Sequence, residues 1–525
     1  MFKRLLKSRL YLNFCLAIAL FATAAISVNA DVRLPDVISH SMVLQRDVPV
    51  PVWGKAEPGE AVTVRFAGQT KRTTTDSKGN WRVDLDPLRA NATPSTMTIN
   101  GRNGIELKDI LVGEVWLVSG QSNMQWGLIQ SNDGNAAVAN ARHPTIRLFN
   151  VSRQVAFKQA PPPLATWRPS TAESARDFSA AGYYFGVELQ KALKVPIGLI
   201  NSSFGGSQAE AWTPEEYLLA SDDLRPTVER ARIWDEERPR VKLRYEEQLK
   251  QWRVEAEKAK AAGARPKPSP SVPDALREYR KASSIYNGMI EPLIPFRIRG
   301  AIWYQGESNE ARAEQYGILL PTMIRAWRER WGFGDFPFGI VQLPNYRSVK
   351  DEPTDEPWSH IREAQRITAL ATPKTGLIVT IDIGEANDIH PGNKLDVGRR
   401  MALWGLAKVY GLKRTWSGPT FKEATVSDSK IILTFRDVGS GLKIRDGGQL
   451  EEFAIAGADR KWHWAEAKIV GKDRVEVWAA AVTQPVAVRY AFNNNPKNPN
   501  LTNQTGLPAS PFRTDDWPGP TDGRR

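Results

Sequence analysis

The sequence predicts an α/β protein: a largely parallel sheet in the middle of the chain, with β-rich stretches before and after it. Three observations carry this. First, apolar runs without alternation occur at 115–119, 197–200, 298–304, 338–343 and 377–381, as strands covered on both faces require. Second, helical patterns fall between them, over 180–193 and 319–331, and Leu320, Ile324, Trp327 and Trp331 recur at helix spacing, a stripe that reads as core. Third, alternating patterns appear before residue 110 and after residue 411. Strands alternating with helices imply parallel pairing through right-handed crossovers.

Taken in order, residues 1–30 read as a secretory signal peptide. Lys3, Arg4, Lys7 and Arg9 precede a mostly apolar run, and Val28-Asn29-Ala30 offers small residues for cleavage. The single cysteine, Cys15, lies in this leader, so the mature chain is expected to hold no disulfide and no thiolate metal site. No later apolar run approaches membrane-spanning length. A periplasmic or secreted protein without a membrane span is the expectation. Residues 31–110 read as a β-sandwich-like domain, since residues 61–66 and 81–85 alternate and Ser77-Lys78-Gly79-Asn80 and Pro58-Gly59 make turns. Residues 111–410 form the α/β domain, interrupted at about 222–285 by a charged helical excursion with Tyr245, Leu249, Trp252 and Ala256 on one stripe, and a proline-rich loop. Residues 411–525 return to strands at 431–435, 475–478 and 486–490, with a tail from Asn493 expected as coil. The chain carries a formal net charge of +13, four basic residues of which sit in the leader. Lys and Arg are mixed with Asp and Glu throughout, which argues against a nucleic-acid footprint.

The chemistry centres on Gly120-Gln121-Ser122-Asn123-Met124, a polar turn at the end of a buried strand. That is where open α/β sheets build their sites. Ser122 is the candidate nucleophile, and a hydroxyl needs a base and oxyanion donors to act as one. Of five histidines, His40 and His143 lie near strand and loop boundaries, His463 is flanked by Trp462 and Trp464 within a β segment, and His360 precedes a helical stretch. His390 differs, standing in a polar loop after the run at 377–381 and before a helix over 394–410. The orienting carboxylate could be Asp388, Glu385 or Asp382, and spacing does not choose among them. Two further strand-end loops, Asn201 to Ser207 with Gly205-Gly206 and Trp303 to Asn309 with Gln305, fit the same edge. Clustered histidine and carboxylate ligands at metal spacing are not seen, so no metal or organic cofactor is expected.

Together these segments resemble the SGNH hydrolase superfamily and, more closely, its sialate O-acetylesterase-like family, a branch that also includes acetylxylan esterases. The matching pieces are Gly-Gln-Ser-Asn-Met around Ser122, Phe-Gly-Gly-Ser at 204–207, Tyr-Gln-Gly-Glu-Ser at 304–308 and Asp-Ile-His-Pro at 388–391, with Asn287-Gly288-Met289, Arg362-Glu363-Ala364-Gln365 and residues 506–513 in support. The resemblance implies a three-layer α/β fold and a serine esterase acting through an acyl-enzyme on O-acetylated carbohydrate. It further implies Ser122 as nucleophile, His390 as base and an oxyanion hole of Ser122 N–H, Gly206 N–H and Gln305. Two departures stand out: the family's Asp-x-x-His has Asn387 at its first position here, and Gln-Gly-Glu-Ser replaces Gly-x-Asn-Asp. No Gly-x-Ser-x-Gly elbow surrounds Ser122. Two other readings are open on the residues alone: a glycoside hydrolase using Glu307 with Asp388, and a carbohydrate-binding protein without catalysis.

Overall fold

The computed structural model describes residues 31–158 and 165–525. The expected leader, with Cys15, lies outside the described residues. Six strands open the chain: β1 (Val43–Gln45), β2 (Val50–Lys55), β3 (Ala61–Phe66), β4 (Gln69–Thr74), β5 (Asn80–Leu85) and β6 (Asn91–Asn100). The seventh, β7 (Gly104–Gly120), is 17 residues long and buried from Leu111 onward. Its first half pairs with β6 and β1, and its second half enters the central sheet. Residue 110, near which a domain boundary was expected, therefore falls inside one continuous strand. The N-terminal side chains Val62, Val64 and Ile99 share one hydrophobic cluster with Trp116 and Trp303.

The central sheet is completed by β8 (His143–Asn150), β9 (Trp167–Ser170), β10 (Ile197–Ser203), β11 (Gly300–Tyr304), β12 (Phe338–Val341) and β13 (Thr375–Ile378). Its order is β13-β12-β11-β7-β10-β8-β9, parallel except for the edge strand β9. Trp116 and Trp303 lie on opposite faces, because Trp303 is in register with Ser119 and side chains alternate along a strand. Trp116 meets Phe185 and Trp404 edge-on at 5.1 and 6.0 Å, while Trp303 meets Trp212 and Trp327 at 5.5 and 5.8 Å. Helices Ala180–Leu193 and Lys394–Trp404 thus supply aromatic cover for one face, and Ala313–Trp331 for the other. This is a mixed α/β fold with a large central sheet and further β-rich regions.

The expected helix over 180–193 is found at those bounds, and the helical excursion runs over Arg225–Ala261. The strand expected over 377–381 is displaced to Thr375–Ile378, while Val379 and Ile381 turn into a second hydrophobic cluster shared with the C-terminal strands. The tail is not plain coil: it contains short strands Leu501–Asn503 and Phe512–Arg513. Its Asn493 and Asn494 are buried, their carbonyls accepting from the buried Arg362 guanidinium. Polar residues in this tail reach distant partners, Asn494 donating to Glu356 and Asn500 to Asp446, so their composition resembles that of a solvated loop. Among the described residues no helix is long and apolar enough to cross a membrane.

The strand ends set the site. Gly120 of β7 is in register with Ser203 of β10 on one side and Tyr304 of β11 on the other. Gly120 has φ +139°, and a Cβ there would lie 2.1 Å from the Tyr304 carbonyl oxygen. A Gly120→Ala variant combines left-handed backbone strain with that clash and should lose about 2 kcal/mol or more of stability, read as a lower denaturation midpoint than wild type.

Candidate active site

Three loops leave the sheet from one rung. After Gly120 the chain turns into the short helix Ser122–Gln125, in which Ser122 and Asn123 occupy the first turn. Backbone N–H groups in the first turn of a helix have no acceptor within it. After Ser203 comes Phe204-Gly205-Gly206-Ser207, pinned by Phe204 N–H donating to Gly120 O and by Gly205 N–H donating to Gln125 Oε1 at 2.7 Å. A Cβ on Gly205 would stand 3.4 Å from the Ser122 Cβ. This loop therefore runs against the serine, and Gly206, with φ +75°, follows it. After Tyr304 come Gln305, Gly306 and Glu307, and Gln121 links this loop to the first through its N–H to Tyr304 O and its Oε1 to Ser308 N–H.

The fourth loop, between β13 and the helix Lys394–Trp404, brings His390 to Ser122. Its Nε2 lies 2.8 Å from Ser122 Oγ, although the two residues are 268 positions apart. The imidazole side chain is 28% exposed, open enough to meet a substrate. The Trp126 indole lies flat on it, with centroids 4.9 Å apart and planes 14° from parallel. Burial holds the His390 pKa below its ordinary value, Asp388 pulls it upward and the Lys394 cation pushes it further down. A neutral imidazole at neutral pH suits a general base.

The expected carboxylates differ in what they do. Asp388 Oδ1 is 3.8 Å from His390 Nδ1, too far for a hydrogen bond, and it accepts instead from the His390 backbone N–H at 2.8 Å. Glu385 accepts from Gly392 N–H at 2.8 Å. Asp382 forms a two-pronged pair with Arg400 at 2.6 and 2.9 Å. Gln305 is wholly buried, and its amide donates to Ser207 O at 3.2 Å and Asn309 Oδ1 at 2.7 Å. Both its N–H bonds are therefore committed to holding the Gly205–Ser207 loop from behind. The other histidines serve elsewhere: His40 accepts from Lys108 N–H, and His360 sits between Asp355 and Glu314.

Sequence reading missed a buried polar cluster under the serine. Asn123 donates to Glu307 Oε1 at 2.6 Å and to Ile389 O at 2.9 Å, and Lys394 donates to Asn123 Oδ1 at 2.7 Å and Pro391 O at 2.6 Å. Burial pushes Glu307 up to about 7 and Lys394 down to about 7. Lys394 stands in the sequence beside the histidine loop, but nothing local marks it as buried. The helical excursion also reaches the site. On its return, Tyr279 stacks on Phe204 at 4.8 Å and Arg280 donates to Gly206 O at 3.1 Å. Among the described residues no three His, Cys, Asp or Glu side chains gather as they would around a metal ion.

A serine and a histidine in hydrogen-bond contact at the carboxyl edge of an α/β sheet, with a glycine loop packed against the serine, define a hydrolase-type site. The chain belongs to the carbohydrate esterase family described as sialic acid-specific acetylesterase, whose sequence model matches residues 112–254 and 273–403. It is thus an esterase of the carbohydrate-acetylesterase class. The gap in that match falls on the tip of the helical excursion. The sialate O-acetylesterase of Mus musculus is 28% identical over 92% of this chain and 93% of its own, and that of Homo sapiens is 28% identical over 96% and 97%. The crystal structure of a carbohydrate acetylesterase from Xanthomonas citri is 37% identical, covers 93% of this chain and 100% of that one, and superposes with a TM-score of 0.79.

Trp126 covers one face of the imidazole whose pKa burial depresses. Trp126→Ala should therefore raise the His390 pKa toward the ordinary histidine value, an outcome that NMR titration of the imidazole protons checks.

Proposed function

We propose that the protein is an SGNH-type serine esterase that removes O-acetyl groups from carbohydrate, with O-acetylated sialic acid as the first substrate class to try. The contact that carries this reading is the 2.8 Å approach of Ser122 Oγ to His390 Nε2. The names of the relatives support the substrate class, and acetylated xylan or another polysaccharide is the alternative within the same chemistry. The chain is read as exported, periplasmic or secreted, on its first 30 residues. It is divided into β-rich flanks at 31–110 and 411–525 around the esterase unit.

In this reading Ser122 Oγ attacks the acetyl carbonyl carbon while its proton passes to His390 Nε2. The negative charge forming on the carbonyl oxygen is met by the N–H groups of Ser122 and Gly206, while Gln305 supports that pocket by gripping Ser207 O. The tetrahedral adduct then expels the sugar oxygen, which takes the proton from Nε2, and acetyl-Ser122 remains. Water then attacks the acetyl carbon while its proton passes to Nε2, and the adduct collapses to acetate as Ser122 Oγ leaves and takes that proton back from Nε2. Asp388 anchors the histidine backbone and lies near enough to stabilise the imidazolium by charge, the third member of the catalytic set.

Acetate release from a panel of acetylated glycans tests the proposal. Ser122→Ala and His390→Ala should each lower kcat by about 10⁴-fold or more, as removal of either partner does in comparable sites. A Ser122→Ala variant with wild-type turnover would overturn it. Because His390 acts as a neutral base and its pKa is depressed, kcat/KM should rise with pH to a plateau, with its acid limb at lower pH than an ordinary histidine would give.

A further inference from the structure

In the serine-histidine sites whose logic this one shares, a carboxylate at Nδ1 fixes the imidazole. Here that carboxylate is 3.8 Å away and 52% exposed, on a loop whose residues 385–388 are all exposed. Something else must hold the ring against Ser122. The two peptide carbonyls that flank His390 are each gripped from inside the protein: Ile389 O by Asn123 Nδ2 and Pro391 O by Lys394 Nζ. The two grips are joined, since Lys394 also donates to Asn123 Oδ1, and Glu307 Oε1 accepts from the same Asn123 amide. Asn123 is bonded in sequence to the nucleophile, so one side chain ties the base-bearing loop to the serine-bearing turn.

The composition of this cluster argues that position, not stability, is what it supplies. Lys394 is 1% exposed, and it stands at the first residue of its helix, where the macrodipole disfavours a cation. Lysine is almost never buried so fully unless paired, and Glu307, which completes the charge balance, leaves its Oε2 buried without a partner. A leucine or methionine would fill the same volume without desolvating a charge.

We propose that Lys394 and Asn123, backed by Glu307, are positioning residues that set the His390 imidazole through the two carbonyls on either side of it. This rests on Ser122 and His390 being nucleophile and base. The charged groups that act on the imidazole are Asp388 from its own loop and Lys394 from the helix that follows, and Lys394 in turn feels Glu307 from the loop after β11 and Glu385.

The test is Lys394→Met, with Lys394→Met/Glu307→Gln as a second variant that removes both charges should the single change unfold the protein. A base displaced by about an ångström costs on the order of 10²-fold in kcat, with KM little changed, since neither residue faces the substrate. Loss of the nearby cation should also move the acid limb of the kcat/KM profile to higher pH, which a merely supporting role would not do. Turnover within a few-fold of wild type, or an unmoved acid limb, would overturn the proposal. Ser122→Ala run alongside separates the two levels, because wild-type turnover in that variant would sink the esterase mechanism itself. The His390 pKa, read by NMR in wild type and Lys394→Met, still reports on the clamp in that event.

Discussion

The parallel register of β10, β7 and β11 is the constraint on which the rest of the site depends. Ser203, Gly120 and Tyr304 stand on one rung, so the Phe204–Ser207 loop, the Ser122 turn and the Gln305–Glu307 loop all begin at the same height. Backbone hydrogen bonds cross directly between these loops, from Phe204 N–H to Gly120 O and from Gln121 N–H to Tyr304 O. A one-residue slip would turn every side chain to the opposite face, and the buried tryptophans on both faces forbid it. Geometry at the serine is thus inherited from a packed core.

His390 is the one member of the site that the register does not place. Its loop comes from β13, separated from β7 by two strands. Its approach depends on contacts outside the sheet ladder: Asn123 and Lys394 on the carbonyls, Trp126 on the ring face and Asp388 on the backbone N–H. Ser122 is thus placed by the sheet and His390 by side-chain contacts, and His390 follows a stretch, residues 385–388, that is exposed throughout.

Much of this was legible in the sequence. Covered strands betray themselves by uninterrupted apolar runs, and the polar turn that ends each run marks the sheet's carboxyl edge; that position, together with the motif resemblance, singled out Ser122 and His390, which stand 2.8 Å apart. What could not be read was how polar groups pair across long distances. Gln305 looked like a donor facing the substrate because its loop position was right, yet its amide is consumed by Ser207 and Asn309. Asp382 looked as eligible as Asp388 until Arg400, 18 positions on, was seen to claim it. The asparagine-rich tail resembled coil because nothing local reveals that Arg362 needs its carbonyls. Apolar periodicity is a local signal, and hydrogen-bond satisfaction is a global one.

The uninterrupted course of β7 has a mechanical corollary. At about 3.3 Å per residue a strand of this length reaches roughly 50 Å, from the N-terminal strands to the glycine that precedes the Ser122 turn. The leading β-rich region is therefore a fixed outrigger and not a swinging module on a tether. A glycan chain that touched it would be presented to the serine at one distance and one angle. Reach along a polymer would be ruled by the stiffness of that single span, with no linker to lengthen or shorten it.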